Sequence, residues 1–134
     1  MENKYYTPNI SEFHVGFEYE VLFRNTIIKT TYQISSDLIA VNRILEKEDK
    51  DFEIRVKYLD KEDIESLGFK EDPSSRPNRL VYEKNIDDYV IGIVRYTTTS
   101  VLLYKYKYSE ERLFNGTVNN KFELIKLLKQ INLF

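Results

Sequence analysis

Between Phe13 and Phe23 every second residue is apolar: Phe13, Val15, Phe17, Tyr19, Val21 and Phe23, with Glu12, His14, Gly16, Glu18 and Glu20 between them. Alternation this long has the period of a strand that buries one face and wets the other. It commits the chain to a sheet solvated on one side, and such sheets are antiparallel. A second strand is expected at Thr26–Ile34, and the short Arg24-Asn25 link predicts a hairpin. Phe52–Leu59 alternates again, with Phe52, Ile54, Val56 and Tyr58 opposite Glu53, Arg55 and Lys57. Strands are further expected at Arg79–Lys84, Tyr89–Thr98 and Ser100–Tyr108. A short one follows through Arg112–Val118, with Asn115-Gly116 as a bulge or turn.

Three helices fit between and after these strands. Ser36 and Asp37 offer capping oxygens to a helix ending near Glu46, with Leu38, Val41 and Leu45 as its apolar stripe. The run Glu46–Asp51 is a solvated helix end and loop. Asp60 caps a short helix, Lys61–Leu67, and Gly68 stands where a left-handed residue ends it. The last helix opens on Asn120 and Glu123, a capping-box-like pair, and carries Leu124, Leu127, Leu128 and Ile131 at helical spacing. Glu71–Asn78 holds two of the three prolines and reads as a mobile loop. The expected fold is α+β: one domain, 1–134, with a mainly antiparallel twisted sheet of about five to seven strands and two or three helices on one face.

The 42% hydrophobic and 14% aromatic content suffices for one core. With no cysteine there is no disulfide framework and no thiolate metal cage, which fits a reducing cytoplasm. The N-terminus lacks the apolar stretch of a signal peptide. Apolar runs such as Tyr89–Val94 fall far short of the roughly 20 residues that span a bilayer. A soluble cytoplasmic protein without a membrane partner is the expectation. A net charge of −2 argues against a general nucleic-acid coat.

Four constellations bear on chemistry. Glu12, His14, Glu18 and Glu20 would share one strand face, but one strand does not close a metal site, and no metal or other cofactor is expected. His14 has no nucleophile and orienting group in a recognisable pattern, so no catalytic residue is assigned and the protein is not expected to be an enzyme. Tyr104, Tyr106 and Tyr108 alternate with Lys105 and Lys107, so the rings face away from the cations and suit a core edge or subunit contact better than a nucleic-acid groove. The fourth is a candidate anion site. Arg55, Lys57, Arg76, Arg79 and Arg95 would converge if the proline loop folds onto the sheet, with Tyr82, Tyr96 and Thr98 to hold a base or ribose.

Asp63-Ile64-Glu65-Ser66-Leu67-Gly68-Phe69, then a polar loop, Val81-Tyr82, two strands and a closing helix form an ordered series. The closing stretch is Asn120-Lys121-Phe122-Glu123-Leu124-Ile125-Lys126-Leu127-Leu128-Lys129. Over about Ile54–Leu133 the series resembles small phage and mobile-element proteins of Bacteroides-like bacteria. The matching residues are caps, a turn glycine and apolar spacing, so the resemblance implies a genetic setting and no catalytic residue.

From that setting the expected function is a non-catalytic anti-defence protein that sequesters a nucleotide-like host immune signal, with a homo-oligomer among the expected assemblies. The alternatives are an inhibitor that binds a host defence enzyme and a virion or assembly component.

Overall fold

The computed structural model describes residues 4–33 and 35–131. The fold is α+β, with three helices and two antiparallel sheets, and the strands divide between two compact units, one ending at Lys57 and one beginning at Tyr58.

The N-terminal unit contains β1 (Tyr5–Tyr6), a 3-10 turn (Ile10–Glu12), β2 (Glu18–Phe23), β3 (Thr26–Thr31), α1 (Ser35–Leu45) and β4 (Phe52–Lys57). Its four strands lie in the order β1-β4-β2-β3. The hairpin at Arg24-Asn25 forms as expected, with Phe23 opposite Thr26 and Arg24 at φ 56. The long alternation is half right: β2 begins only at Glu18. Asn9 caps the preceding 3-10 turn reciprocally with Glu12, and Gly16 at φ +95 turns the chain before the strand starts. Phe13 and Phe17 still reach the core, their rings 5.0 Å apart, whereas Val15 is left in solvent. Phe17, Tyr19, Tyr32, Val41, Ile54 and Val56 form this unit's buried cluster.

Helix α1 turns two of its three expected stripe residues, Val41 and Leu45, inward. Val41 is buried and Ile44 and Leu45 pack against the cluster, while Leu38 is exposed. Helix α1 packs against β4 and also neighbours the 3-10 turn. Ile34, the expected end of β3, and the side chain of Ser36, the expected cap, lie outside the described residues.

The second unit contains α2 (Lys61–Ser66), β5 (Lys70–Glu71), β6 (Leu80–Ile86), β7 (Tyr89–Arg95), β8 (Ser100–Tyr106), β9 (Glu110–Thr117) and α3 (Lys121–Gln130). Its five strands follow one another as an antiparallel meander. One sheet face and the two helices bury Ile64, Tyr82, Ile91, Ile93, Val101, Leu103, Leu124 and Leu128. Each aliphatic side chain so buried contributes about 1.5–3 kcal/mol relative to exposure. Both expected helix starts form: Asp60 Oδ1 accepts from the Asp63 N–H at 2.8 Å, and Asn120 Oδ1 from the Glu123 N–H at 2.9 Å. Glu123 reaches back to the N–H of Asn119, at 2.7 Å, so the box at α3 is displaced by one residue. Gly68, at φ +96, ends α2 as its position predicts. The bulge lies at Leu113, which the β8–β9 register skips, and not at Asn115-Gly116.

On the other face of this sheet Val81, Val94 and Leu102 form a small buried cluster flanked by Tyr104. Gly92 stands opposite Tyr104, and a Cβ there would run into the tyrosine ring.

Candidate functional site

The eight residues expected to bind a ligand fall in both units. Arg55 and Lys57 are on β4 of the N-terminal unit, and the other six belong to the second. Arg55 is engaged within its own sheet. Its Nε donates to Glu20 Oε1 at 2.8 Å, and its guanidinium lies 3.7 Å from the centre of the Tyr5 ring. β4 pairs Lys57 with Tyr5 and Arg55 with Glu20. An ion pair capped by a ring is a structural clasp on this sheet's outer face.

In the second unit the proline loop is fastened at both ends. Asp72 Oδ1 accepts from the Ser74 N–H at 2.7 Å, and the Ser75 hydroxyl exchanges hydrogen bonds with the backbone of Val81. Arg76 and Arg79 exchange backbone bonds of 3.0 and 2.9 Å across Pro77-Asn78, a tight turn that presents both arginines to solvent. Since Leu80 pairs with Arg95, one step along the ladder brings Arg79 beside Tyr96, itself exposed. Arg79 thus stands beside Tyr96 at one end of the sheet, while Arg76 Nη1 donates to the loop carbonyls of Ser74, at 3.4 Å, and Ser75, at 3.2 Å.

Tyr82 and Arg95 lie on the opposite face. Arg95 Nη2 donates to the carbonyls of Leu59, at 2.7 Å, and Thr98, at 3.1 Å. It therefore ties the segment before α2 to the turn after β7, and Thr98 contributes its carbonyl rather than its hydroxyl. Tyr82 is fully buried, and its hydroxyl and Arg95 Nε are buried without a hydrogen-bond partner. Burial raises the Tyr82 phenol above its ordinary value, with the Arg95 charge working against the rise.

A cluster that sequence spacing did not reveal sits on the face that carries Arg79. Burial, and then the neighbouring Asp72 carboxylate, which accepts from it, raise the Glu83 carboxyl, while hydrogen bonds from Ser74 lower that of Asp72. The Tyr104 hydroxyl is pushed up to about 12, chiefly by burial and then by the charges of Glu83 and Asp72, with Arg79 opposing. Two carboxyls and a phenol lie within one another's electrostatic reach here, with Arg79 as the opposing charge at Tyr104. No periodicity connects these residues. Only strand register brings Glu83, opposite Lys70 and Gly92, close to Tyr104.

The face expected to carry Glu12, His14, Glu18 and Glu20 does not exist as one strand face. Glu12 caps the 3-10 turn and accepts from the Tyr6 hydroxyl at 2.8 Å, His14 Nδ1 lies 2.8 Å from the Glu12 carbonyl, and Glu20 holds Arg55. Among the described residues no three His, Cys, Asp or Glu side chains are grouped to hold a metal ion. In the tyrosine run, Tyr104 flanks the small outer cluster while Tyr106 and Tyr108 are exposed. Lys105 lies 4.5 Å from the centre of the Tyr89 ring, and Lys107 pairs with Asp88 at 2.6 Å.

A concave surface is present in the N-terminal unit. Ile10, Leu38 and Ile39, with Asn42, Arg43 and Glu48, line a shallow hollow of about 530 Å³. All three aliphatic side chains are exposed, Ile39 to 65%. The Asn9 and Glu12 capping pair would have signalled the 3-10 turn that forms one wall. Counting Leu38 in the buried stripe of α1 concealed the other.

No helix among the described residues is long and apolar enough to cross a membrane. No protein family, no curated protein and no solved structure matches the chain.

Proposed function

We propose that this protein acts by binding rather than by catalysis, and that its partner is a protein docking in the hollow between the 3-10 turn and α1. The observation that supports this reading is where aliphatic side chains are left uncovered. Ile10, Val15, Ile27, Ile28, Leu38 and Ile39 are exposed and all lie in the N-terminal unit. Among the described residues, the exposed large apolar side chains of the second unit are Tyr96, Tyr106 and Tyr108. Single exposed aliphatics are ordinary, but three around one hollow are the kind of patch that marks an interaction surface. An aliphatic floor with Asn42, Arg43 and Glu48 at its margin has the apolar centre and polar rim of a protein interface. In the phage or mobile-element setting that the resemblance implies, the partner is a host defence enzyme and the effect is inhibition.

The test compares the wild type with Ile39→Asp as bait in host lysate, followed by reconstitution of any captured protein in pure form. The reading requires a partner that binds the wild type stoichiometrically and is lost with Ile39→Asp. Equal capture by both, or no partner that survives purification, would overturn it.

Sequestration of a nucleotide-like signal is the second reading. It is supported by Arg79 standing exposed beside Tyr96, where a guanidinium fork for phosphate lies next to a ring for a base. Native mass spectrometry of protein incubated with nucleotide extracts checks it. An adduct released intact by heat and lost in Arg79→Ala is the expected result, and a ligand-free spectrum removes this reading.

A further inference from the structure

Strand β3 ends its sheet, with β2 on one side and no described strand on the other. Its first four residues, Thr26, Ile27, Ile28 and Lys29, are all exposed. Tyr32, just beyond it, bonds inward: its N–H donates to the Phe17 carbonyl at 2.8 Å and its carbonyl accepts from Gly16 at 2.8 Å. Bonding direction alternates along a strand, so Thr26, Ile28 and Thr30 also face β2. The N–H and C=O groups of Ile27, Lys29 and Thr31 point out of the open edge.

Such an edge is a template for another strand, and natural sheets usually blunt it with charge, proline or a bulge. Between Thr26 and Thr31 there is no proline, the pairing with β2 is unbroken, and one charge is present, Lys29. The placement of that charge narrows what can pair there. In an antiparallel pairing of β3 with itself, outward-facing residues must meet outward-facing residues, and two registers cover five residues of each strand. One sets Lys29 directly opposite its own copy, and like charges so placed repel. The other sets Ile28 against Ile28, Ile27 against the aliphatic stem of Lys29, and Thr26 against Thr30.

We propose that β3 pairs antiparallel with β3 of a second copy of this chain in that second register, joining two four-stranded sheets across a two-fold axis. Thr26-Ile27-Ile28-Lys29-Thr30 is nearly palindromic about Ile28, which is what an interface made by one strand with its own copy requires. The pairing covers Ile27 and Ile28, which are 53% and 49% exposed in the single chain. Lys29 then selects the register instead of forbidding the pairing. The inference uses no residue of the hollow.

The chain contains no cysteine, so single cysteines report the register cleanly. Ile28 would occupy a non-hydrogen-bonded position on the two-fold axis, where Cα atoms approach to about 4.5 Å, within disulfide range. Ile28→Cys should therefore form a covalent dimer under mild oxidation. Thr31 would sit six residues out of register from its copy, about 20 Å away, so Thr31→Cys should not cross-link. Light scattering over a dilution series should show a wild-type dimer, and Ile28→Lys should be a folded monomer by circular dichroism. A wild type that stays monomeric, a dimer that survives Ile28→Lys, or Thr31→Cys cross-linking as readily as Ile28→Cys would each overturn the proposal.

Discussion

Replacing Gly92 with alanine tests the outer face of the five-stranded sheet, because two effects of opposite sign meet there. Alanine is ordinarily better than glycine inside a strand, by about 0.5–1 kcal/mol, since it has less chain entropy to lose. At Gly92 the added methyl would stand well inside 3.0 Å of Tyr104 ring atoms, nearer than real Cβ atoms approach. The ring must move, and overpacking of this kind costs about 1–3 kcal/mol. Its displacement also disturbs the packing of Tyr104 against Val81, Val94 and Leu102. The net expectation is a loss of about 1–2 kcal/mol. With an m-value near 2 kcal/mol/M, a loss of 2 kcal/mol lowers the urea midpoint by about 1 M. The assay is urea denaturation followed by far-ultraviolet circular dichroism, on wild type, Gly92→Ala, Tyr104→Ala and the double variant. With Tyr104 removed the clash is gone, so Gly92→Ala should become neutral or stabilising, with a coupling of about 1.5–3 kcal/mol. Additive effects, or Gly92→Ala as stable as wild type, would refute the argument that the glycine is there to admit the ring.

Two further outcomes follow from the same unit. Glu83 is protonated more readily in the folded chain than its ordinary value of 4.5 would give, so its contribution to stability is full below that value and is lost as pH rises through the folded one. Asp72, lowered, runs the other way and loses its contribution as pH falls. Glu83→Gln keeps a donor for Asp72 without ever ionising, so its melting temperature should gain on wild type from acid to neutral pH; a difference constant with pH would sink the assignment. Arg95→Met should destabilise by about 2–4 kcal/mol, because the carbonyls of Leu59 and Thr98 lose a charged donor. Arg79→Ala, at an exposed site, should change stability far less, and equal melting temperatures for the two variants would show that the Arg95 clamp is not structural.

What the sequence made legible was whatever its local chemistry fixes. The caps at Asp60 and Asn120, the turn at Gly68 and the hairpin at Arg24-Asn25 each depend on neighbours within a few residues, and each formed. Alternation from Phe13 to Phe17 misled because those aromatic residues reach the same cluster from a loop as they would from a strand. Periodicity records burial, and burial alone does not distinguish the two. The Asn9 to Glu12 capping box was the local signal that decided the matter, through the same chemistry as at Asp60.

The arginines show the limit from the other direction. Arg55, Arg79 and Arg95 look alike in sequence, yet each has a different charge environment set by a partner far along the chain. Arg55 meets Glu20, 35 residues away, and Arg95 meets the Leu59 carbonyl, 36 residues away. Arg79 stands near Tyr104 through register between strands. An arginine serves as a ligand site only where its donors remain open to solvent, and strand register determines that. Of the three, Arg79 alone is exposed, beside Tyr96, so the nucleotide reading depends on it. The protein-binding reading depends instead on Ile10, Leu38 and Ile39, aliphatic residues that seal a core when covered and mark an interface when bare.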